Sequence, residues 1–388
     1  MAIPEYFEFQ DRTKIIFGID TLDETGKEVK KLGGKNVLIV TGSTAQRLGY
    51  VDRIKKALGE QGIGVAGVFD GIPENSEAAV VEKGRKTAEE TGADMIVTIG
   101  GGSVMDTAKG INVLMSLGGS LLDDYQGANL INEPLKPMVA IPMTAGSASE
   151  VTFAAVILDK SQDMKLAFLS PYLAPSTAIL DPKLTVSMPP RLTASTGMDA
   201  LTHAVEALHS TSREPVATAL ALSAITMISG NLREAAKNGG NLEARSNMLI
   251  ASTMAGLAFT NAMVGCVHAM AHSAGGIAGV PHGIANAIFL PFGMEYNLDA
   301  CPEQYALAAH AMGVDTTGMS AKDAAVKAIE AVRKLTSDCG LPQRLSEVGV
   351  TEDQVAMIAD YTLMDGAIVT NPREPDPDAI LEMVKRAF

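Results

Sequence analysis

The chain has 388 residues, 47% of them hydrophobic and 20% charged, with a formal net charge of -14. That length exceeds one ordinary core, so two domains are expected, and the apolar content excludes a disordered chain. The acid excess, with no cluster of Lys and Arg to oppose it, argues against nucleic acid or an anionic membrane as a partner.

Cys266, Cys301 and Cys339 are odd in number, widely spaced and free of any CxxC pattern. They predict unpaired thiols in a reducing, cytoplasmic compartment. The start MAIPEYFEFQDRTKIIFG carries early acids and no basic segment before an apolar run, so it does not read as a signal peptide. Pro215 to Ile228 is rich in Ala, Leu and Ile, yet Thr and Ser interrupt it and it is too short to span a bilayer. It predicts a helix buried in a soluble protein.

In chain order, Asn36–Thr41 is a short apolar run with β-branched residues that ends in Gly42-Ser43, as expected of a buried parallel strand entering a loop. A helical spacing over Val51–Glu60, a strand over Gly64–Phe69, a charged helix over Ser76–Thr91 and a strand over Asp94–Ile99 follow. This alternation predicts a βαβ sheet. Directly after the last of these strands come Gly100-Gly101-Gly102-Ser103 and the helical pattern VMDTAKGINVL. Glycines between a strand and a helix let the backbone approach a ligand, and the N–H groups of the helix start favour a diphosphate. The run is not a GxGxxG fingerprint, and a plain β-to-α turn is the competing reading. Asp106 and Lys109 lie at helical spacing beyond it, where an intrahelical ion pair is the simple explanation.

Met138–Ile141 predicts a further strand, closed by Pro142 and followed by the small, hydroxyl-rich loop Met143-Thr144-Ala145-Gly146-Ser147-Ala148-Ser149-Glu150, suited to lie against a cofactor. Val151–Leu158 and Met164–Leu169 predict a hairpin across the DKSQD turn, and Thr177–Leu180 a last strand. The breaker Met188-Pro189-Pro190 marks the domain boundary, giving an α/β domain over residues 1–188 and an all-helical domain over 189–388. Helices are predicted over Thr193–Ser210, Pro215–Ala236, Leu242–Ala258, Ala321–Leu335, Thr351–Ala359 and Pro377–Arg386. The 20 methionines fill cores.

Five of the six histidines fall between Thr196 and Pro291: His203, His209, His268, His272 and His282. Asp199 and His203 are four apart, as are His268 and His272, so each pair shares a helix face. Each residue alone has an ordinary explanation, a buried ion pair or a half-buried imidazole. Jointly, the spacing points to a metal ion. Which histidines bind is left open by spacing. His209, six residues after His203, points to another side of its helix and is set outside the ligand set, as is the remote His310. Imidazoles with a carboxylate suit iron(II), zinc, nickel or copper.

The residues resemble the iron-containing, or group III, alcohol dehydrogenases over essentially the whole chain. The resemblance rests on Gly100-Gly101-Gly102-Ser103 with Asp106 and Lys109 (GGGSxxDxxK), on Ala140 to Ser147 with Ser149-Glu150-Val151-Thr152, on the Asp199-to-Glu206 run and on the His268-to-Pro291 run. It implies a Rossmann-like N-terminal nucleotide-binding domain, an all-α metal-binding domain of dehydroquinate synthase-like architecture, and an active site in the cleft between them. The family's metal ligands fall on Asp199, His203, His268 and His282, with His272 left near the substrate for proton relay. Cofactor positions fall on Gly101, Gly102, Ser103, Thr144, Ser147 and Lys165, with Asp106 and Lys109 in the same motif. Met143 replaces a Thr common in the family, removing a hydroxyl beside the cofactor. Gly42 stands where strictly NAD-using relatives often carry a ribose-binding Asp, which leaves NADP open beside NAD.

The implied reaction is reversible hydride transfer between a small primary alcohol, diol or functionalised aldehyde and NAD or NADP, with Fe2+ or Zn2+ as a Lewis acid and a homo-oligomeric enzyme. Competing readings are a glycerol dehydrogenase-like polyol oxidation, a dehydroquinate synthase-like lyase, a non-catalytic metal-binding protein and a nonhaem oxygenase. The lyase lacks its basic pocket, the binding protein has no use for the glycine turn, and three histidines leave an oxygenase few open positions.

Overall fold

The computed structural model describes residues 4–73, 75–161 and 164–388, and the chain forms two compact units. The first runs over Asp11–Thr144 and Ala148–Thr185. Its strands are β1 (Lys14–Phe17), β2 (Asn36–Thr41), β3 (Gly64–Phe69), β4 (Met95–Gly100), β5 (Gly127–Ala128), β6 (Met138–Pro142), β7 (Ala154–Asp159), β8 (Met164–Leu169) and β9 (Thr177–Leu180). Its helices are α1 (Thr25–Lys31), α2 (Ser43–Arg47), α3 (Tyr50–Glu60), α4 (Ala78–Thr91), α5 (Gly102–Leu117) and α6 (Leu121–Asp124).

Six strands form a parallel sheet in the order β1-β9-β6-β4-β2-β3. The continuous apolar run of β2 is explained by cover on both faces. Val37 and Ile39 join a core with Val29, Ile54 and Leu58 of α1 and α3. Leu38 and Val40 enter the opposite core with Val81, Ala88, Ala108 and Ile111 of α4 and α5. Strand β2 lies between β3 and β4, so the chain reverses direction across the sheet there. Ligands of open parallel sheets bind at the carboxyl ends of strands flanking such a switch. The register pairs Thr41 with Ile99 and Gly100 with Pro142, which gathers Gly42, Gly101-Gly102 and Thr144 at that edge.

The predicted hairpin forms as antiparallel β7 and β8, with β5 as a third strand. Strand β7 begins at Ala154 because Val151 and Thr152 are committed to a turn, and Gln162 and Asp163 of the DKSQD segment lie outside the described residues. Strand β1 has no counterpart in the sequence reading: its four residues sit at the sheet edge, half of the apolar surface stays exposed and no period-2 pattern develops. Met143 is buried in the core with Ile99 and Ile141. That corrects the expectation of a hydroxyl lost beside a cofactor, because the side chain at this position packs inward.

The second unit comprises Val186–Phe388, Ala145–Ser147 and the stretch ending at Gln10. Among its described residues there is no strand. Its helices are α7 (Pro190–His209), α8 (Pro215–Lys237), α9 (Leu242–Ala262), α10 (Cys266–Ala278), α11 (His282–Asn297), α12 (Pro302–Ala311), α13 (Ala321–Asp338), α14 (Glu352–Thr362) and α15 (Pro377–Ala387). Helix α7 is its centre, buried without interruption from Gly197 to His209 and packed on α8, α9 and α11. Its many Ala and Gly residues let these neighbours approach closely. Helix α8 forms where predicted, from Pro215, and corrects only the expectation that this stretch is too short to span a bilayer. It has 23 residues and is long and apolar enough to cross a membrane by length and composition, yet it buries one stripe, Ala217, Ala221, Ala224, Ile228 and Leu232, against α7 and α9 and exposes the other. Asn241, whose side chain accepts from the Glu243 and Ala244 N–H groups, caps α9.

Candidate metal centre and nicotinamide cradle

The helical period of α7 sets Asp199, His203 and Glu206 along one buried stripe, with His209 buried on another side of the helix. Helix α10 contributes His268 and His272, and α11 begins at His282. Asp199, His268 and His282 offer ligand atoms that all lie within 4.8 Å of one another. Asp199 Oδ1 is 3.4 Å from His282 Nε2 and 3.9 Å from His268 Nε2. His203 is buried with its ring stacked on His268, centroids 4.5 Å apart, and on Phe259 at 4.1 Å. It is not in the converging group, and its Nδ1 is buried without a hydrogen-bond partner.

Burial pushes the His203 and His268 imidazoles down to about 4, against the opposing pull of Asp199, so both rings are neutral and keep a lone pair for a cation. The amide of Asn286, one turn after His282, tests the fit. Its Nδ2 donates to Asp199 Oδ1 at 2.7 Å and lies 3.3 Å from His268 Nε2 and 3.2 Å from His282 Nε2. Its own Oδ1 is buried without a partner. One amide group thus faces a carboxylate oxygen and two imidazole nitrogens, an acceptor-rich set that a divalent cation satisfies.

His272 stacks on His282 at 5.2 Å, and its Nδ1 meets Asp365 Oδ2 at 2.9 Å. Burial pushes the Asp365 carboxyl up, but the His272 ring, the Ala367 N–H and His268 together hold it below the usual carboxylate range. With Nδ1 engaged, Nε2 is the nitrogen left for other chemistry. His209 lies outside the converging group: it is fully buried, with Nδ1 2.7 Å from the Tyr305 hydroxyl.

In the α/β unit the cradle is built from backbone. Gly101 is the N-cap of α5 and has no side chain to satisfy the first N–H groups of the helix. Its carbonyl accepts from the Val104 and Met105 N–H groups, so α5 starts directly at the end of β4, the place where a helix N-terminus favours an anion. A Cβ on Gly101 would sit 3.3 Å from Thr144 Cγ2, and Met143 N–H donates to Gly100 at 2.8 Å, so the two loops are in tight register. Gly42 is the N-cap of α2, at the end of β2. Lys165 lies on β8, and Ser147 clusters with the helical unit. Of Asp106 and Lys109, expected among the cofactor contacts, Lys109 is fully buried and Asp106 half-buried, and both are bonded within the protein. Lys109 Nζ donates to the Thr152 and Ala154 carbonyls at 2.9 and 2.7 Å and to Thr152 Oγ1 at 3.0 Å. Asp106 accepts from the Val156 N–H and the Ser149 hydroxyl. Burial pushes Lys109 down to about 8 despite Asp106 and Glu150 nearby. The two side chains tie α5 to the start of β7.

Residues 12–182 match the family model for iron-containing alcohol dehydrogenase, and residues 193–388 match that for the C-terminal part of the Fe-containing alcohol dehydrogenase family. The chain belongs to the iron-containing alcohol dehydrogenase family. It is 44% identical over 374 residues to a 1,3-propanediol dehydrogenase of Citrobacter freundii, covering 96% of each chain. It is 36% identical over 373 residues to an NAD-dependent methanol dehydrogenase of Bacillus methanolicus, covering 96% of this chain and 97% of the relative. A solved 1,3-propanediol oxidoreductase superposes with a TM-score of 0.96 at 42% identity, over 99% of this chain and 100% of that one. The protein is accordingly an NAD-linked oxidoreductase of alcohols and aldehydes with an α/β unit, a helical unit and a metal centre.

Three residues of this dehydrogenase's centre escaped the sequence reading: Glu206, Asn286 and Asp365. Glu206 and Asn286 carry a signal, since each follows a candidate ligand by three or four residues, on the same helix face. Asp365 carries none, being 93 residues from the histidine it meets.

Proposed function

We propose that the enzyme catalyses reversible hydride transfer between a short-chain primary alcohol or diol and the corresponding aldehyde, with 1,3-propanediol as the leading substrate. The convergence of Asp199, His268 and His282 carries this reading, and the similarity to a 1,3-propanediol dehydrogenase supports the choice of substrate. These three residues hold the metal, with His203 as the fourth ligand; its buried, partnerless Nδ1 beside the group supports that role. The metal is Fe2+, with Zn2+ as the alternative for the same donors. Gly101, Gly102, Ser103, Gly42, Thr144, Ser147 and Lys165 bind the cofactor, while Asp106 and Lys109 hold the cradle's shape.

When bound, the metal supplies Lewis acidity toward the substrate oxygen and the nicotinamide gives or takes the hydride. Asp199 supplies the negative charge that anchors the cation, and the neutral imidazoles leave the remaining charge for the substrate oxygen. His272 carries the alcohol proton at Nε2, with Asp365 fixing the ring through Nδ1. Gly42 brings no carboxylate to the ribose position, so NADP competes with NAD. The net charge of -14 and three unpaired cysteines support a cytoplasmic protein with neither nucleic acid nor membrane as partner, and the family alone supports a homo-oligomer.

A panel of short aldehydes and diols, assayed with NADH, NADPH, NAD and NADP after loading with Fe2+ or Zn2+, tests the whole reading. The highest kcat/KM is expected for 1,3-propanediol with NAD and Fe2+. Absence of turnover with every alcohol and both metals would sink the proposal, and a preference for NADPH would move the cofactor assignment alone.

A further inference from the structure

Glu206 is fully buried on α7, in the same stripe as Asp199 and His203. One carboxylate oxygen, Oε1, accepts the Val267 N–H at 2.8 Å. The other oxygen, Oε2, lies against His268 Nδ1 in a short hydrogen bond. Val267 and His268 belong to the first turn of α10, whose N-cap, Gly265, has no side chain to satisfy the open N–H groups. Glu206 therefore caps α10 from a different helix and grips the histidine of that first turn with the same group. The packing allows little else at this point. A Cβ on Gly265 would lie 2.9 Å from Asn371 Oδ1, 3.1 Å from Glu206 Oε1 and 3.3 Å from His209 Nε2, and His209 is itself held from behind by the Tyr305 hydroxyl.

We infer that Glu206 is a positioning residue of the metal centre, fixing both the orientation and the tautomer of His268. The inference rests on the proposed role of His268 as a metal ligand. Oε1 is taken by the Val267 N–H and Oε2 is the oxygen that faces the ring, so the contact is completed by a hydrogen on Nδ1 of His268. Nε2 then presents a lone pair, on the side of the ring where Asp199 Oδ1 lies 3.9 Å away. Fixing the ring before the cation arrives removes the cost of ordering it, and the nearby carboxylate makes Nε2 more basic. Helix α10 and the metal site are thereby coupled through one side chain.

Cobalt(II), titrated into the metal-free protein, is the probe. Its absorption bands report ligand geometry and its affinity reports the donor set. Four proteins are compared: wild type, Glu206→Gln, Glu206→Ala and His268→Ala. Glu206→Gln keeps an acceptor oxygen and is expected to weaken Co2+ by about 10-fold. Glu206→Ala approaches about 100-fold, within the range for partners of metal-binding histidines. Both variants are also expected to release cobalt faster to a chelator and to show shifted bands. Glu206 acting only as a helix cap lowers the melting temperature of the metal-free variants and leaves affinity and bands at wild-type values, which overturns the inference. If the alanine variant does not fold, the glutamine variant decides on the same two readouts. His268→Ala separates the premises: loss of Co2+ there with wild-type binding in both Glu206 variants defeats the positioning role alone. Wild-type Co2+ binding by His268→Ala defeats the ligand reading itself, and this inference with it.

Discussion

The metal centre of the helical unit and the cradle of the α/β unit use opposite materials. The centre is made of side chains: Asp199, His268 and His282 reach one locus from three helices, Asn286 faces all three, Glu206 holds His268 from behind and Asp365 holds the neighbouring His272. The candidate cradle is made of missing side chains, with Gly42 and Gly101 as N-caps of α2 and α5 at the ends of β2 and β4. A cation needs lone pairs on atoms that a flexible side chain brings to a defined geometry, so the chemistry resides in residue type. A diphosphate is chelated by peptide N–H groups that every residue owns, so the chemistry resides in clearance.

That contrast predicts different penalties for damage. Asp199→Ala removes the only carboxylate of the converging group and is expected to empty the centre, cutting turnover on the order of a thousandfold, as several kcal/mol of charge stabilisation at 1.36 kcal/mol per decade implies. Metal analysis of the purified variant checks this, and wild-type metal content with full turnover breaks the side-chain side of the comparison. His272→Ala leaves the ligand atoms in place, so metal content is expected to hold while turnover falls by about a hundredfold, the lower range for general acid–base groups. Unchanged turnover removes His272 from proton transfer. Gly101→Ala sets a methyl 3.3 Å from Thr144 Cγ2, a crowding of about 1–2 kcal/mol, and so roughly a tenfold rise in the KM for the nicotinamide with metal content intact. A change in metal content without a change in cofactor KM would reverse the assignment of the two sites.

Much of this was legible in the chain itself. The alternation of β2, β3 and β4 with helices followed from apolar runs and periodicity, because both faces of a parallel sheet are covered and its strands cannot hide their character. Strand β1 was not legible, since an edge strand of four largely exposed residues carries no such signature. Asp199 and His268 stood out because each belongs to a pair at helical spacing, with His203 and His272, whereas His282 was marked only by its nearness to them, and only the resemblance to a family implied that His272 stands apart from the ligands. Lys109 shows the limit of motif reading. It belongs to the glycine-turn pattern, yet its ammonium group lies against Thr152 and Ala154, forty residues on, where packing made a structural tie of a presumed cofactor contact.

The sequence by itself determined the two kinds of unit, the strand-end glycines and the donor types of the metal site, because these depend on composition and short-range period. Tertiary structure decided which donors converge and what holds them. His203 stacks on His268 beside the three, His209 turns to Tyr305, and Glu206 reaches across to α10. A helix face is wide enough to aim several residues in one general direction, and only the packing of neighbouring helices selects, to within a hydrogen-bond length, the atoms that meet.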